Sequence, residues 1–218
     1  MTNLHYEFTG ETTVNRVGLT LHRIRATRDL PNFGVKTGDV GGWIEKESNL
    51  QGNAWIADEA MVSGGAEVYG NAKVSGEAHV SSNAKVFGNA EVFGTAKVFG
   101  TARVFDNALV FGTARVFGNA QVFDSSEVSN DAHIESNADY FHAVTYTSTP
   151  LLLTLTRQKD GKHLIRMGCW LGTVDELETL IKGDKWVETS GDDADKARPE
   201  MLALCQMLRA RIERWGNE

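Results

Sequence analysis

An alanine recurs at every sixth position from Ala54 to Ala138, and the single replacement in that column is Ser126. A second apolar column follows two residues behind: Ile56, then valine at every repeat from Val62 to Val128 save the run's outer ends, which are Ile134 and Tyr140. Mostly polar or charged side chains separate the two columns, and aromatic or small residues come directly after the valine. A spacing of six matches neither the 3.6-residue turn of a helix nor the two-residue alternation of an isolated strand. It matches a parallel β-solenoid, where each hexapeptide lays one short strand that buries its apolar side only when the next coil stacks on it about 4.8 Å away. The pattern predicts a stack of rungs over residues 54–142, with alanine and valine inside.

Outside that range the period is absent. Residues 1–53 predict an N-terminal β cap: Leu19 to Ala26 reads as a strand, Asn32 to Gly42 is rich in turn formers, and Trp43-Ile44-Glu45 leads towards the first rung. A solenoid needs such a cap, because an open end exposes apolar core and unpaired strand edge. Residues 143–218 predict a small α+β domain. Leu151 to Arg157 and His163 to Trp170 form a hairpin across Asp160-Gly161, and Thr173-x-x-Glu176 is a capping box opening a short helix. After Pro199, the residues Met201, Leu204, Cys205, Leu208, Ile212 and Trp215 fall on one helical face, which must pack on the hairpin or on a partner subunit.

With an aliphatic residue followed four positions later by a small one, as in Val62 and Ala66 or Val68 and Ala72, the repeat resembles the hexapeptide-repeat, left-handed parallel β-helix proteins. The resemblance covers about two-fifths of the chain. It implies a mainly β fold in which three hexads make one triangular coil, so that fifteen hexads make about five coils.

Under that geometry residues 18 apart lie above one another, and the position after each valine sorts into three outward ladders. One is aromatic throughout: Tyr69, Phe87, Phe105, Phe123 and Phe141. The others read Ala57, Ser75, Phe93, Phe111, Ser129 and Ser63, Ser81, Phe99, Phe117, Glu135. Five stacked rings would expose on the order of several hundred Å² of apolar surface, which calls for a cover. The expected cover is a second copy of the chain, giving a homo-oligomer through Tyr69, Phe87, Phe105, Phe123 and Phe141; a trimer, frequent in the family it resembles, is favoured. The alternatives are burial under the C-terminal domain and a foreign partner.

Charge narrows the functions. The chain carries 22 basic and 29 acidic side chains, a net charge of −7. Residues 54–142 hold eleven acids against five bases, and so −6 of it. Such a surface disfavours direct nucleic-acid binding, which needs clustered Lys and Arg. No apolar run approaches the length of a membrane span, and no basic-apolar leader opens the sequence, so the expected compartment is the cytoplasm. There Cys169 and Cys205, outside any CxxC spacing, are expected as free buried thiols.

Between alanine and valine, one outward column reads Met61, His79, Lys97, Arg115, His133, the only basic stripe of the repeat. His79, Lys97, Arg115 and His133 are therefore candidate contacts for an anionic small ligand. A second flanks the aromatic ladder with Glu67, Lys85, Arg103, Gln121 and Asp139, whose charges can pair between rungs. Arg23, Arg25 and Arg28, beside Gly38-Asp39-Val40-Gly41-Gly42, are a third candidate: guanidinium groups and turn N–H groups can hold an anion, while a tight turn alone also explains the glycines.

Many proteins of the resembled family are CoA-dependent acyltransferases with a histidine base. Under that alternative His79 is the base and acetyl-CoA the cofactor; otherwise no cofactor is expected. The repeat has no inserted loop to shape an acceptor pocket. A histidine metal site fares no better, because His79 and His133 stand three coils, roughly 14 Å, apart while zinc ligands lie near 2 Å. No Thr-x-Thr ladder suited to ice is present.

The opening segment carries a narrower likeness. Leu21-His22-Arg23-Ile24-Arg25-Ala26, Gly34-Val35-Lys36, Gly38-Asp39-x-Gly41-Gly42-Trp43-Ile44-Glu45 and Asn53-Ala54-Trp55 resemble phage and prophage hexapeptide-repeat proteins of enteric bacteria, commonly labelled transferases from the repeat alone. This resemblance implies a phage-encoded, non-catalytic oligomer in the host cytoplasm that occupies a host protein or sequesters a signalling nucleotide to counter host defence. A structural or assembly module is the remaining alternative.

Overall fold

The computed structural model describes residues 4–146, 150–183, 186 and 194–215. The chain divides into two compact units, Met1–Asn137 and Ala138–Glu218. The cap and the repeat thus form one unit, and the boundary falls five residues before the end of the periodic pattern.

Between Trp55–Ile56 and His133–Ile134 the first unit lays fourteen two-residue strands. They stack in parallel on three faces, five rungs on two of them and four on the third. The register between neighbours is 18 residues, as in Val80 to Val98 to Val116. This is a parallel β-solenoid of about five turns. Its interior is the two predicted columns: every valine from Val62 to Val128 is fully buried and no alanine of the run is more than 1% exposed through Ala132. Each buried valine contributes roughly 1.5–3 kcal/mol, while alanine, lacking further carbons, lets the chain turn inward at the corner.

A third column of period six makes the corners. The residue two after each inward aliphatic takes positive φ at all fourteen corners from Gly52 to Asn130, glycine at nine and Asp58, Ser82, Asp106, Asp124 and Asn130 at the rest. Glycine adopts that conformation without a steric penalty, and Asp and Asn tolerate it best among the others. Side chains then tie one corner to the next: the amides of Asn71, Asn89 and Asn107 run in a ladder at 3.3 and 3.1 Å, and the Thr101 hydroxyl donates to the Gly118 carbonyl at 2.8 Å.

The cap consists of strands Tyr6–Val14, Thr20–Ala26 and Val40–Ile44, and extends the Met61–His79–Lys97–Arg115–His133 face into one eight-stranded sheet. The first strand was not foreseen; as the edge of that sheet it is exposed on both sides along most of its length, so it lacks a clean apolar alternation. The residues Val40 to Gly42, read as turn, are strand instead. Their glycines serve close approach: a Cβ on Gly41 would lie 2.6 Å from the Ile56 carbonyl oxygen, and one on Gly42 2.6 Å from that of Ala60.

His5 joins the cap to the first coil, its Nε2 donating to the Ala54 carbonyl at 2.8 Å. Burial holds this imidazole below its ordinary pKa, assisted by the charge of Arg28, although the hydrogen bond opposes the shift. The unfolded chain therefore takes up the proton first. The stability this group contributes is intact above the unfolded value and lost as pH falls towards the folded one. His5→Gln, which can still donate to Ala54, is expected to lose less Tm than the natural chain between about pH 7.5 and about pH 5.5. Thermal melts at the two pH values check it, and equal losses would contradict it.

The second unit is a four-stranded antiparallel meander, Tyr140–Tyr146, Pro150–Arg157, His163–Met167 and Trp170–Gly172, with helices Val174–Lys182 and Ala194–Trp215. Tyr140, the last member of the period-six column, opens this sheet rather than a fifteenth rung. The expected hairpin pairs Leu155 with Ile165, and Thr173 and Glu176 form the capping box. Met201, Cys205, Leu208 and Trp215 pack with Leu153, Leu155 and Ile165 in the core of this unit, which places the helical stripe against the meander. The last helix begins five residues before Pro199, which therefore lies inside it and, lacking an N–H, leaves out the backbone hydrogen bond to the carbonyl of Asp195. Both cysteines are free, but only Cys205 is buried, and Cys169 is exposed. Burial, then the Glu178 charge, pushes the Cys205 thiol up to about 11, which suits an inert core side chain. No helix among the described residues is long and apolar enough to cross a membrane.

Candidate functional site

In a parallel rung the residue before the inward valine and the one after it both point outward. On the sheet that joins the cap, the first of these positions gives His79 and Lys97 on neighbouring rungs, and the second gives Ser63, Ser81 and Phe99. Where the next two levels carry the rings of Phe99 and Phe117, two successive levels here carry only a hydroxymethyl group. The result is a hollow of about 340 Å³.

The cap supplies its wall. Between the first two cap strands the chain turns at Asn15–Gly18, where the Asn15 carboxamide oxygen accepts from the N–H groups of Val17 and Leu19 at 3.1 and 3.0 Å. That turn carries Arg16 and Val17 to the hollow. Glu77 and Thr95, corner residues of adjacent coils, line it as well. Two fixed cations and one carboxylate thus give a local excess of positive charge on a chain of net −7.

His79 is half-buried, and its pKa is lowered by burial first, then by the charges of Lys97 and Arg16, with Glu77 opposing. At neutral pH the imidazole is therefore uncharged, one nitrogen donating and the other accepting. A neutral imidazole between two cations, beside hydroxyls and a ring, can bind an anion and can accept a proton.

The basic column divides in function. His79 and Lys97 line the hollow, whereas Arg115 places its guanidinium 5.2 Å from the Phe99 ring centroid and 5.9 Å from that of Phe117. His133 meets Phe117 edge to face at 4.7 Å. The cap arginines each have their own partner. Arg23 donates to Glu59 at 2.8 Å and stacks on Trp43, Arg25 faces Glu7 at 3.8 Å, and Arg28 donates to Asn53 at 2.8 Å. Hydrogen bonds from Trp43 and then Arg23 hold the Glu59 carboxyl below its usual pKa, a clamp between cap and first coil.

The long aromatic ladder stacks within the chain. Tyr69, Phe87, Phe105 and Phe123 follow one another at centroid spacings of 4.9, 5.0 and 5.4 Å. Because each ring covers its neighbour's face, all four are half-buried, and none is among the broadly exposed apolar side chains. Phe141 belongs to the second unit, where it packs against that unit's core with the Arg211 guanidinium 5.5 Å from its ring centroid. Beside the ladder, Lys85 and Glu67 pair at 2.9 Å.

Arg16, Ser63 and Ser81 were not singled out by sequence reasoning as site residues. The signal was present in part: two serines precede the two phenylalanines of their column. Among the described residues no group of three or more His, Cys, Asp or Glu side chains is placed to hold a metal ion. Compared with known proteins, the chain matches no family model and no curated sequence.

Proposed function

We propose that the protein is a non-catalytic binding protein whose ligand is a small anion held in the hollow beneath the cap turn. The observation that carries this reading is the convergence of Arg16 and Lys97, from cap and solenoid, on one hollow of an otherwise acidic molecule. The likeness of the opening segment to phage proteins supports a finer version: a phage-encoded binder that sequesters an anionic signalling molecule or occupies a host protein. Self-association along the ring edges of Tyr69, Phe87, Phe105 and Phe123, as a trimer, belongs to the same proposal and is supported by their partial exposure.

Acyl transfer is the second reading, favoured by the lowered pKa of His79, which suits a general base. One set of variants separates the two. Arg16→Gln with Lys97→Gln is expected to weaken inorganic phosphate binding by about tenfold or more, since each charge removed costs roughly 1 kcal/mol. His79→Ala is expected to change it by less than about threefold, as befits a neutral contact. Equilibrium dialysis measures both. Turnover of acetyl-CoA that vanishes in His79→Ala would replace the binding reading by acyl transfer.

A further inference from the structure

On the face that carries the hollow, Phe99 and Phe117 stack with centroids 5.0 Å apart and planes 8° from parallel. The two levels before them in the same column hold Ser81 and Ser63. The backbone there keeps full register: Val80 pairs with Val98, and the Ser81 N–H donates to the Val98 carbonyl at 2.9 Å. One rung spacing from Phe99 there is thus an aromatic place that holds no ring.

The neighbouring ladder shows what a filled column looks like. Tyr69, Phe87 and Phe105 stack at 4.9 and 5.0 Å with planes within 3° of parallel. Arg103, from the adjacent outward column, lies 5.2 Å from the Phe87 centroid and 5.6 Å from that of Phe105. A cation therefore flanks two consecutive rings. Lys97 holds the corresponding position on the Phe99 rung, where the second ring would stand at the level of Ser81.

We propose that the hollow binds a planar aromatic anion, whose ring fills the level of Ser81 and stacks on Phe99 while its anionic group meets Lys97 and Arg16. This rests on the reading of the hollow as an anion site and adds to it a requirement for a flat ring. Parallel stacking at the ladder's own spacing supplies the apolar contact, and a cation alongside the ring strengthens it. The exposed Val17 of the cap turn borders the hollow on its open side. The second face carries a similar gap, with Ser75 before the stacked pair Phe93 and Phe111. There Lys73 stands on the rung of the gap, but the position that corresponds to Lys97, beside the ring of Phe93, is Glu91, so the same gap lacks the cation alongside the ring and is not an equivalent site.

Calorimetric titration of the full chain with phenyl phosphate, cyclohexyl phosphate and inorganic phosphate tests ring and charge separately. Phenyl phosphate is expected to bind about fivefold to tenfold tighter than cyclohexyl phosphate, the range a stacking contact supplies. Ser81→Phe, which fills the level with the ladder's own side chain, is expected to abolish phenyl phosphate binding without lowering Tm. Ser75→Phe, the same change on the second face, is expected to leave binding unaltered. Phe99→Leu keeps apolar bulk but removes the stacking partner, and is expected to bring phenyl phosphate down to the affinity of cyclohexyl phosphate, so the proposal stays open to refutation even if Ser81→Phe does not fold. Equal affinity for the two organic phosphates in the natural chain would overturn the ring requirement and leave the anion site standing. Failure of all three phosphates to bind would overturn both.

Discussion

Val92→Asp is expected to unfold the first unit, whereas Glu91→Lys, one residue away, is expected to leave its Tm within a few degrees. Val92 is fully buried in the interior column and Glu91 is exposed on the same two-residue strand. The aspartate forfeits the transfer free energy of valine, roughly 1.5–3 kcal/mol, and adds a carboxyl group in a space without a partner, which costs several kcal/mol more even when the group is protonated. Together these approach the whole stability of a domain, about 5–15 kcal/mol. The position aggravates the effect. Val92 lies between Val74 and Val110, and a solenoid rung has only its neighbours to stabilise it, so failure at a middle rung uncouples both ends. Far-UV circular dichroism through a thermal ramp checks the pair; a cooperative β transition in Val92→Asp near the natural Tm would contradict the assignment of the interior column.

Gly42→Ala is expected to cost about 3 kcal/mol and to loosen the cap selectively, because overpacking against fixed backbone is among the costlier small changes. The added Cβ would meet the Ala60 carbonyl oxygen and the Ile56 Cγ2, each at 2.6 Å. Neither can yield freely, since Ala60 and Ile56 belong to the first coil and are fully buried. Hydrogen exchange should therefore accelerate in strands Thr20–Ala26 and Val40–Ile44, while the rungs from Glu91 onward keep their protection. Gly38→Ala, at φ +95° with nothing within 4 Å of its Cβ, meets backbone strain alone and is expected to cost only about 1–2 kcal/mol. Equal exchange in all three would show that the cap does not need the close approach of its glycines.

The repeat was legible because its interior has the simplest of rules: one aliphatic and one small side chain per rung, repeated until the register stops. The third column, Gly, Asp, Asn or Ser at each positive-φ corner, has the same period and could have been read from turn chemistry. Tyr140 misled, since an apolar residue in phase serves as well to open an antiparallel strand as to close a coil. The cap strand Tyr6–Val14 was hidden for another reason: an edge strand exposed on both sides has no alternation to betray it. For the ladder, the sequence placed Tyr69 to Phe123 in one column but not the effect of stacking, which buries ring faces within the chain and reduces the apolar surface left for a partner.

The site was half visible. His79 and Lys97 stood out as basic residues in register, yet nothing in the basic column itself distinguishes them from Arg115 and His133. What separates them is the pair of serines at the ring positions and the arrival of Arg16 from a turn more than sixty residues away in sequence from His79, a juxtaposition that depends on how the cap sheet continues into the first rungs.

The central claim, that this hollow is where the protein binds, is tested most directly by mapping amide chemical shifts of the full chain during titration with phenyl phosphate. Saturable changes confined to Arg16–Gly18, His79–Ser81 and 95–99 are the predicted result. Changes spread over the other basic side chains, centred on Lys85 and Arg103 or on the second unit, or absent at millimolar concentration, would contradict it.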